Sequence, residues 1–592
     1  MPTIIQPVRT GLRRRPPAGY QELVAEMQKV PYLAEYVDGI APRVGVPDYY
    51  TKGLPSELKK ASRVNVIYPV GNGIYIHVYM PPEGTESGYR KYVVIEPPKP
   101  PTILFDLVEE KIAELITEKD IIRSSEEKQQ MLIRFLDTVV SIVGSPVNYN
   151  SLLRRRKNNL KKIPVYRPDY ERLKYYLIRD KVGLGILEPF LRDPYIEDIS
   201  CDGVGYVFIV HKVFGPLETS IKFETREELD RFVIELSERI GKPVSHARPI
   251  VDSTLPDGSR INIVFGKDVS LHGSNFTIRK FSEKPISIIQ LIKWGTLDER
   301  IAAYLWILLL EGMSGWISGE TASGKTTTLN AIITFIRPNA KIVSIEDTAE
   351  VQVPHKNWVR ELTRDTGSVE SSITMFDLLK AALRQRPNYI IVGEIRGAEG
   401  NVAFQAMQTG HPVLSTFHAG SVERLIQRVT SPPINVPKTQ LDNLNFIIIQ
   451  SAVYKEGIML RRMLSVNEIL GYDAEADSII YIPVFTWDPA TDRFFFRGKG
   501  ASYLLEEKIA TMRGIPRREL KLIYEELELR AQILREMMKR NIVDYYDVFR
   551  IIARIYNIVE ETSRGKSKEE TQAAILDGLQ YSLKLLRRGE LR

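Results

Sequence analysis

Two glycines separated by four residues, then a lysine and threonines, stand in the segment Gly319-Glu320-Thr321-Ala322-Ser323-Gly324-Lys325-Thr326-Thr327. Residues of these types at this spacing can cradle phosphate. Glycines let the backbone turn so that successive N–H groups point inward, and the start of a following helix adds its positive dipole end. In such a loop Lys325 meets the β and γ phosphates and the Thr326 hydroxyl ligates magnesium. The apolar run Trp316 to Ser318 precedes the segment and Thr327 to Phe335 continues as a helical pattern. That strand, loop, helix order is the context the chemistry requires, so the spacing predicts nucleotide binding.

Hydrolysis needs a group that orients water, and carboxylates near the terminal phosphate are the usual means. The apolar run Lys341 to Ile345 leads into Glu346-Asp347, and Tyr389 to Gly393 leads into Glu394. An acid just past the carboxyl end of a parallel strand sits where such sheets bind ligands, although strand-end acids also serve as helix caps. A third run, Pro412 to Phe417, is bracketed by His411 and His418. Without cysteines or helical spacing between them, these histidines read as phosphate sensors or as strand-end fasteners.

The elements that must position these groups follow from pattern. Val64 to Tyr79, with Gly71-Asn72-Gly73 inside it, reads as a β-hairpin that opens a small α+β unit. Helical patterns follow near Ile103 to Glu118 and Glu126 to Val143. The connector Arg154-Arg155-Arg156-Lys157, with Lys161 and Lys162, is either a solvated linker face or a contact for phosphates or acidic lipid. From Asp169 to Phe281 the pattern is a second α+β domain with a helix at Arg226 to Ile240. There Arg260 to Phe265 and Phe276 to Phe281 alternate apolar and polar, which presents Arg260 and Arg279 outward. Ser282 to Pro285 reads as a hinge. Beyond it helix and apolar strand alternate to about Val429, which implies a mostly parallel sheet. Two strand-like runs, Ser478 to Trp487 and Arg493 to Arg497, precede helices at Arg517 to Asn541, Tyr545 to Thr562 and Lys568 to Arg588. The division expected is 1–160, 165–282, 288–500 and 501–592.

Composition narrows the class. The chain of 592 residues is long enough for several cores, and its 26% of charged residues is mixed in sign, as in a globular protein. A net charge of +7 fits an ordinary solvated surface as well as an anionic partner. Cys201 is the single cysteine, which excludes an intramolecular disulfide and a Cys-based zinc cluster and fits a reducing cytoplasm. The opening residues MPTIIQPVRTGLRRR lack the apolar stretch of a secretory signal, and no run reaches the roughly 18 to 20 apolar residues that cross a bilayer. Any membrane contact is expected to be peripheral.

GETASGKTTT, SIEDTAE, IIVGEIRG and TGHPVLSTFHAGS, in this order, resemble the four signature boxes of the secretion ATPase superfamily. Upstream, IEDISCDG, ARPIVDSTLPDGSRI and FTIRKF resemble the amino-terminal domain of its archaeal branch, and the likeness covers about residues 165 to 485. The resemblance implies a RecA-like P-loop α/β domain, preceded by α+β, PAS-like amino-terminal domains and followed here by a helical extension. Carried onto this chain, it makes Lys325 and Thr326 the Walker A pair, Glu346 an Asp-box acid and Glu394 the Walker B acid that activates water. It places His411 and His418 in a His box. Arg248, Arg260 and Arg279 match the family's phosphate-reaching arginines, surface charge on a strand being the alternative. The same likeness implies ATP and magnesium, with Thr326 and Glu346 holding the metal, because Pro387-Asn388 replaces an acid that many relatives carry in the Walker B run.

Members of that family form hexameric rings on the cytoplasmic face of the membrane beneath a polytopic platform protein. The implied role is a motor for assembly of a type IV pilus-like filament from pilin-like subunits, or for protein secretion. An archaellum motor and a DNA-translocating ATPase are the alternatives within the superfamily. No DNA-binding motif is recognisable, so no sequence-specific nucleic acid is expected. A scaffold that binds ATP without hydrolysing it is the non-enzymatic alternative, and the presence of both Glu346 and Glu394 argues against it.

Overall fold

Asn72 and Gly73 take φ angles of 52° and 74°, the pair of left-handed conformations that a two-residue hairpin turn needs. They join Asn65–Gly71 to Ile74–Tyr79 as an antiparallel pair, as the sequence pattern requires. In the computed structural model that describes the molecule, residues 17–591 are placed, apart from Ser62, 83–87, 117–123, 151–161, 282–283, 365–369 and 456–457. The basic cluster Arg154 to Lys157 with Lys161, and the first half of the expected hinge, lie outside the described residues. The chain divides into two units, Met1–Phe281 and Ser282–Arg592.

The first unit is built on one ten-stranded sheet. Its strands are β1 (Asp48–Tyr49), β2 (Asn65–Gly71), β3 (Ile74–Tyr79), β4 (Arg90–Ile95), β7 (Ile196–Cys201), β8 (Gly205–His211), β9 (Gly215–Phe223), β10 (Ile250–Thr254), β11 (Arg260–Val264) and β12 (Asn275–Arg279). A separate pair, β5 (Val140–Val143) and β6 (Ile163–Tyr166), runs parallel. The large sheet has the order β1-β2-β3-β4-β9-β8-β7-β12-β11-β10. The segments 1–160 and 165–282, which the sequence pattern separates, therefore share a sheet. They meet where β4 pairs in parallel with β9, Lys91 opposite Glu218 and Tyr92 opposite Thr219.

Burial explains this junction. Tyr68 and Tyr92 both donate to Asp193 Oδ2, at 2.7 and 2.8 Å, and Tyr195 N donates to Oδ1 at 2.8 Å. Val66, Ile76 and Tyr92 pack in one core with Ile199, Ile209 and Phe276. The helical pattern at Glu126 to Val143 also splits: the helix is Ser125–Val139, and Val140–Val143 is strand. A run of β-branched residues at its end favours the extended form.

The second unit holds β13 (Gly315–Gly319), β14 (Ile342–Glu346), β15 (Trp358–Leu362), β16 (Tyr389–Glu394), β17 (Val413–Phe417), β18 (Phe446–Lys455), β19 (Ile458–Asp473), β20 (Ser478–Asp488) and β21 (Arg493–Phe496). Their order is β15-β14-β16-β17-β13-β18-β19-β20-β21. From β15 through β18 all neighbours run parallel, and from β18 onward they are antiparallel. β13, β14 and β17 are buried along their whole length, as strands covered on both faces must be. One strand, β17, stands between β13 and β16, which gives the sheet its RecA-like order. The helix Glu299–Leu310 is apolar all round and buried from Ile301 to Leu309. It shares a core with the carboxy-terminal helices Lys521–Lys539, Tyr545–Ser563 and Lys568–Arg588, which the sequence periodicity places within a few residues of these bounds. Among the described residues no helix is long and apolar enough to cross a membrane.

Candidate active site

A parallel sheet delivers the carboxyl ends of its strands to one edge, and here that edge gathers the chemistry. β13 ends at Gly319, β14 at Glu346, β16 at Glu394, and His418 follows β17. The loop after β13 turns through Ala322 at φ 63° and Gly324 at φ 90°, and the helix Lys325–Ile333 starts at once. Gly324 is needed twice over: its backbone is left-handed, and a Cβ would come within 3.1 Å of the Arg461 side chain. A Cβ on Gly319 would drive into the Gln450 carbonyl. The Lys325 ammonium donates to Gly319 O at 2.9 Å and Glu320 O at 3.0 Å. Burial lowers its pKa, and the nearby Glu394 carboxylate acts in the opposite direction.

Two residues that the motif gives no hint of brace this loop. Gln450 Nε2 donates to Ser323 O at 2.8 Å, while its Oε1 accepts from Thr328 Oγ1 at 2.7 Å. Arg461 Nε donates to Ala322 O at 3.0 Å. These residues lie on β18 and β19, more than a hundred positions away, so only the sheet order reveals them. The periodic signal available was the apolar run that becomes β18.

Glu346 is 1% exposed. Its Oε1 accepts from Glu350 N at 2.8 Å and Val351 N at 2.6 Å, and Arg360 Nε stands 3.5 Å from Oε2. Oε2 has no hydrogen-bond partner. Burial pushes the carboxyl up to about 7, against the pull of the two amides and Arg360. Gly393 makes room for it, since a Cβ there would lie 3.2 Å from Glu346 Cγ. Glu394 pairs with Arg396 Nη2 at 2.5 Å. This pair, with help from Asp347 and Glu350, raises the Arg396 pKa and puts a second cation beside Lys325.

The remaining expected residues divide. His418 is exposed at the same edge as the loop, where Ser318 Oγ donates to Ala419 O at 2.7 Å and Gly420 adjoins Glu320. His411 lies at the opposite end of β17, beside Thr409 Oγ1 at 3.2 Å, so roughly 16 Å of strand separates it from the site edge. It does not join the other groups. Pro387-Asn388 also falls at the far edge, before β16, where Asn388 Oδ1 accepts from Lys341 N at 2.8 Å. The lack of an acid there therefore has no bearing on a metal at the loop. Arg260 and Arg279 are direct cross-strand partners on the outward face of β11 and β12, and Arg248 is exposed near a turn with Ser245; all three belong to the first unit.

Among the described residues no group of three or more His, Cys, Asp or Glu side chains could hold a metal by itself. The donor set fits a phosphate-bound magnesium instead. Thr326 lies in the first turn of the loop helix, and Glu346 Oε2 is a buried oxygen with unused capacity. Backbone amides, Lys325 and Arg396 supply positive potential for a polyphosphate, with two carboxylates at its rim.

The family model described as "Type II/IV secretion system protein" matches residues 180–456. An uncharacterized protein of Methanocaldococcus jannaschii, MJ0900, is 49% identical over 542 residues, which span 90% of this chain and 97% of that protein. Protein VirB11 of Agrobacterium fabrum is 27% identical over 266 residues, 40% of this chain and 76% of that one. The solved structure of the ATPase DotB of Legionella pneumophila is 21% identical, covers 56% of this chain and 93% of that chain, and has a TM-score of 0.36.

Proposed function

The chain belongs to the type II/IV secretion system protein family, and we propose that within it this protein is a magnesium-dependent ATPase that powers assembly of a type IV pilus-like filament or protein secretion. The observation that carries the catalytic part is the convergence of Lys325, Glu346 and Glu394 at the edge of one parallel sheet where β13, β14 and β16 end. In this reading the amides of Gly319 to Thr327 and the ammonium of Lys325 bind the phosphates of ATP. Magnesium, held by the Thr326 hydroxyl and Glu346, supplies charge neutralisation at those phosphates. Glu394 accepts the proton of the attacking water, and Glu346, fixed by two backbone amides, orients that water. His418 contacts the rim of the site and reports on the terminal phosphate.

Two arginines directly opposite on one strand face repel each other, and an anion between them removes that cost. This supports a role for Arg260 and Arg279, with Arg248, in meeting nucleotide phosphate from the amino-terminal domain. A nucleotide that binds one domain arrangement more tightly than another converts hydrolysis into movement. A homohexameric ring, docked on a polytopic platform protein at the inner face of the membrane, would turn that movement into work on pilin-like subunits. The test is phosphate release from ATP with magnesium by the full chain, compared with Lys325→Ala, with particle mass followed by light scattering. ATP-dependent hexamers with Lys325-dependent turnover support the reading, and a monomer inert toward ATP refutes it.

A further inference from the structure

The helix Tyr545–Ser563 lies in the carboxy-terminal extension, beyond the residues 180–456 that the family description covers. Its first residue nevertheless reaches the site. Tyr545 is 1% exposed, and its hydroxyl donates toward Asn330 O at 3.1 Å and Gln352 O at 2.9 Å. Asn330 belongs to the phosphate-loop helix, and Gln352 to the loop that follows Glu346.

The Asn330 side chain ties the same two pieces together. Its Nδ2 donates to Glu350 O at 3.1 Å, and its Oδ1 accepts from Gln352 N at 3.0 Å. Two amides of that loop, Glu350 N and Val351 N, are the donors that hold Glu346 Oε1. One phenol thus fastens the helix that carries Lys325 to the loop that aims Glu346. Phe549, one turn further on, packs on His355 of the same loop with ring centroids 4.8 Å apart.

Tyr545 is itself held in place. Asp544 caps its helix by accepting from Tyr546 N at 3.0 Å and Asp547 N at 3.2 Å. Elsewhere in the extension, Arg513 bridges Glu526 at 2.6 Å and Glu311 at 2.8 Å, and Arg530 meets Glu526 at 2.7 Å, all of them largely buried. Glu311 directly follows the helix Glu299–Leu310, so these pairs lock the extension to the core of the nucleotide-binding unit.

We propose that Tyr545 is a positioning residue of this site, so that the carboxy-terminal extension sets the rate of hydrolysis rather than the affinity for nucleotide. The proposal rests on the reading of the site as an ATPase. Affinity resides in the loop Gly319 to Thr327, which Gln450 and Arg461 brace independently of the extension. The Tyr545 hydroxyl meets the loop helix at Asn330, five positions beyond Lys325, and the segment behind Glu346, so its loss misplaces the acid and leaves the phosphate cradle standing.

The experiment uses the full chain with Tyr545→Phe, which keeps the ring and removes one hydroxyl. The expected result is a roughly tenfold fall in kcat with KM for ATP within about twofold of wild type. Amide exchange at Glu350 and Val351 should quicken by a similar factor. Asn330→Ala should reproduce the fall in kcat, and the double variant should be no slower than the worse single one, as for two groups acting through one knot. Wild-type kcat in Tyr545→Phe, unchanged exchange at the two amides, or additive losses would each overturn the proposal. Absence of hydrolysis by the wild-type chain would instead refute the ATPase reading, and the exchange rates would still decide whether Tyr545 positions the loop.

Discussion

The side-chain amide of Gln450 donates to the carbonyl of Ser323 at 2.8 Å, which makes β18 a support of the phosphate loop. The same amide accepts from Thr328 and is 1% exposed. Gln450→Ala leaves a buried carbonyl and a buried hydroxyl unpaired, a cost of about 1–3 kcal/mol. The expected outcome is a lower unfolding midpoint together with a several-fold weaker affinity for ATP, read by thermal denaturation and by titration with labelled nucleotide. Wild-type values for both would remove Gln450 from the account.

His411 and His418 occupy opposite ends of β17, so their substitutions should part company. His418→Ala should lower ATP turnover by an order of magnitude or more, as loss of a group at the terminal phosphate does. His411→Ala should leave turnover near wild type. Steady-state phosphate release checks both, and equal losses would contradict the assignment of the site to one edge of the sheet.

What the sequence makes legible depends on the range of each interaction. Strand, loop and helix around Gly319 to Thr327 are contiguous, so their chemistry is written in local spacing, and the turn at Asn72-Gly73 is equally local. Bracketing of Pro412 to Phe417 by His411 and His418 looks symmetric in one dimension, but a strand has two ends and a parallel sheet uses only one of them. Pro387-Asn388 misleads for the same reason. Gln450, Arg461 and Tyr545 carry no motif, because their roles arise from sheet order and helix docking across more than a hundred residues. The pairing of β4 with β9 is of this kind too: nothing in the periodicity of Arg90–Ile95 announces a partner beyond residue 200.

Two buried histidines make the first unit sensitive to acid. His211 Nδ1 accepts from Val213 N and Phe214 N, at 3.0 and 3.2 Å, which requires the neutral ring with its proton on Nε2, facing Tyr68 Oη at 3.1 Å. His77 is likewise held between Tyr36 at 2.8 Å and Asn65 at 2.7 Å. Burial lowers both to about 3, from an ordinary 6.5. The unfolded chain therefore binds more protons between these values, and stability present above pH 6.5 is lost as the pH falls toward 3. Each histidine should cost about 2 kcal/mol between pH 7 and 5. Urea denaturation of the wild type at the two pH values, against His77→Gln, should show a smaller loss in the variant. An identical loss would contradict the linkage.

Binding and turnover separate most cleanly at Lys325 and Glu394, and a single measurement on the purified full chain reads both: ATP bound and phosphate released with magnesium present. Glu394→Gln should bind ATP close to wild type while releasing phosphate at least a hundredfold more slowly, and Lys325→Ala should lose binding itself. Phosphate release by Glu394→Gln at the wild-type rate, or ATP binding that is indifferent to Lys325→Ala, would contradict the assignment of ATP hydrolysis to this sheet edge.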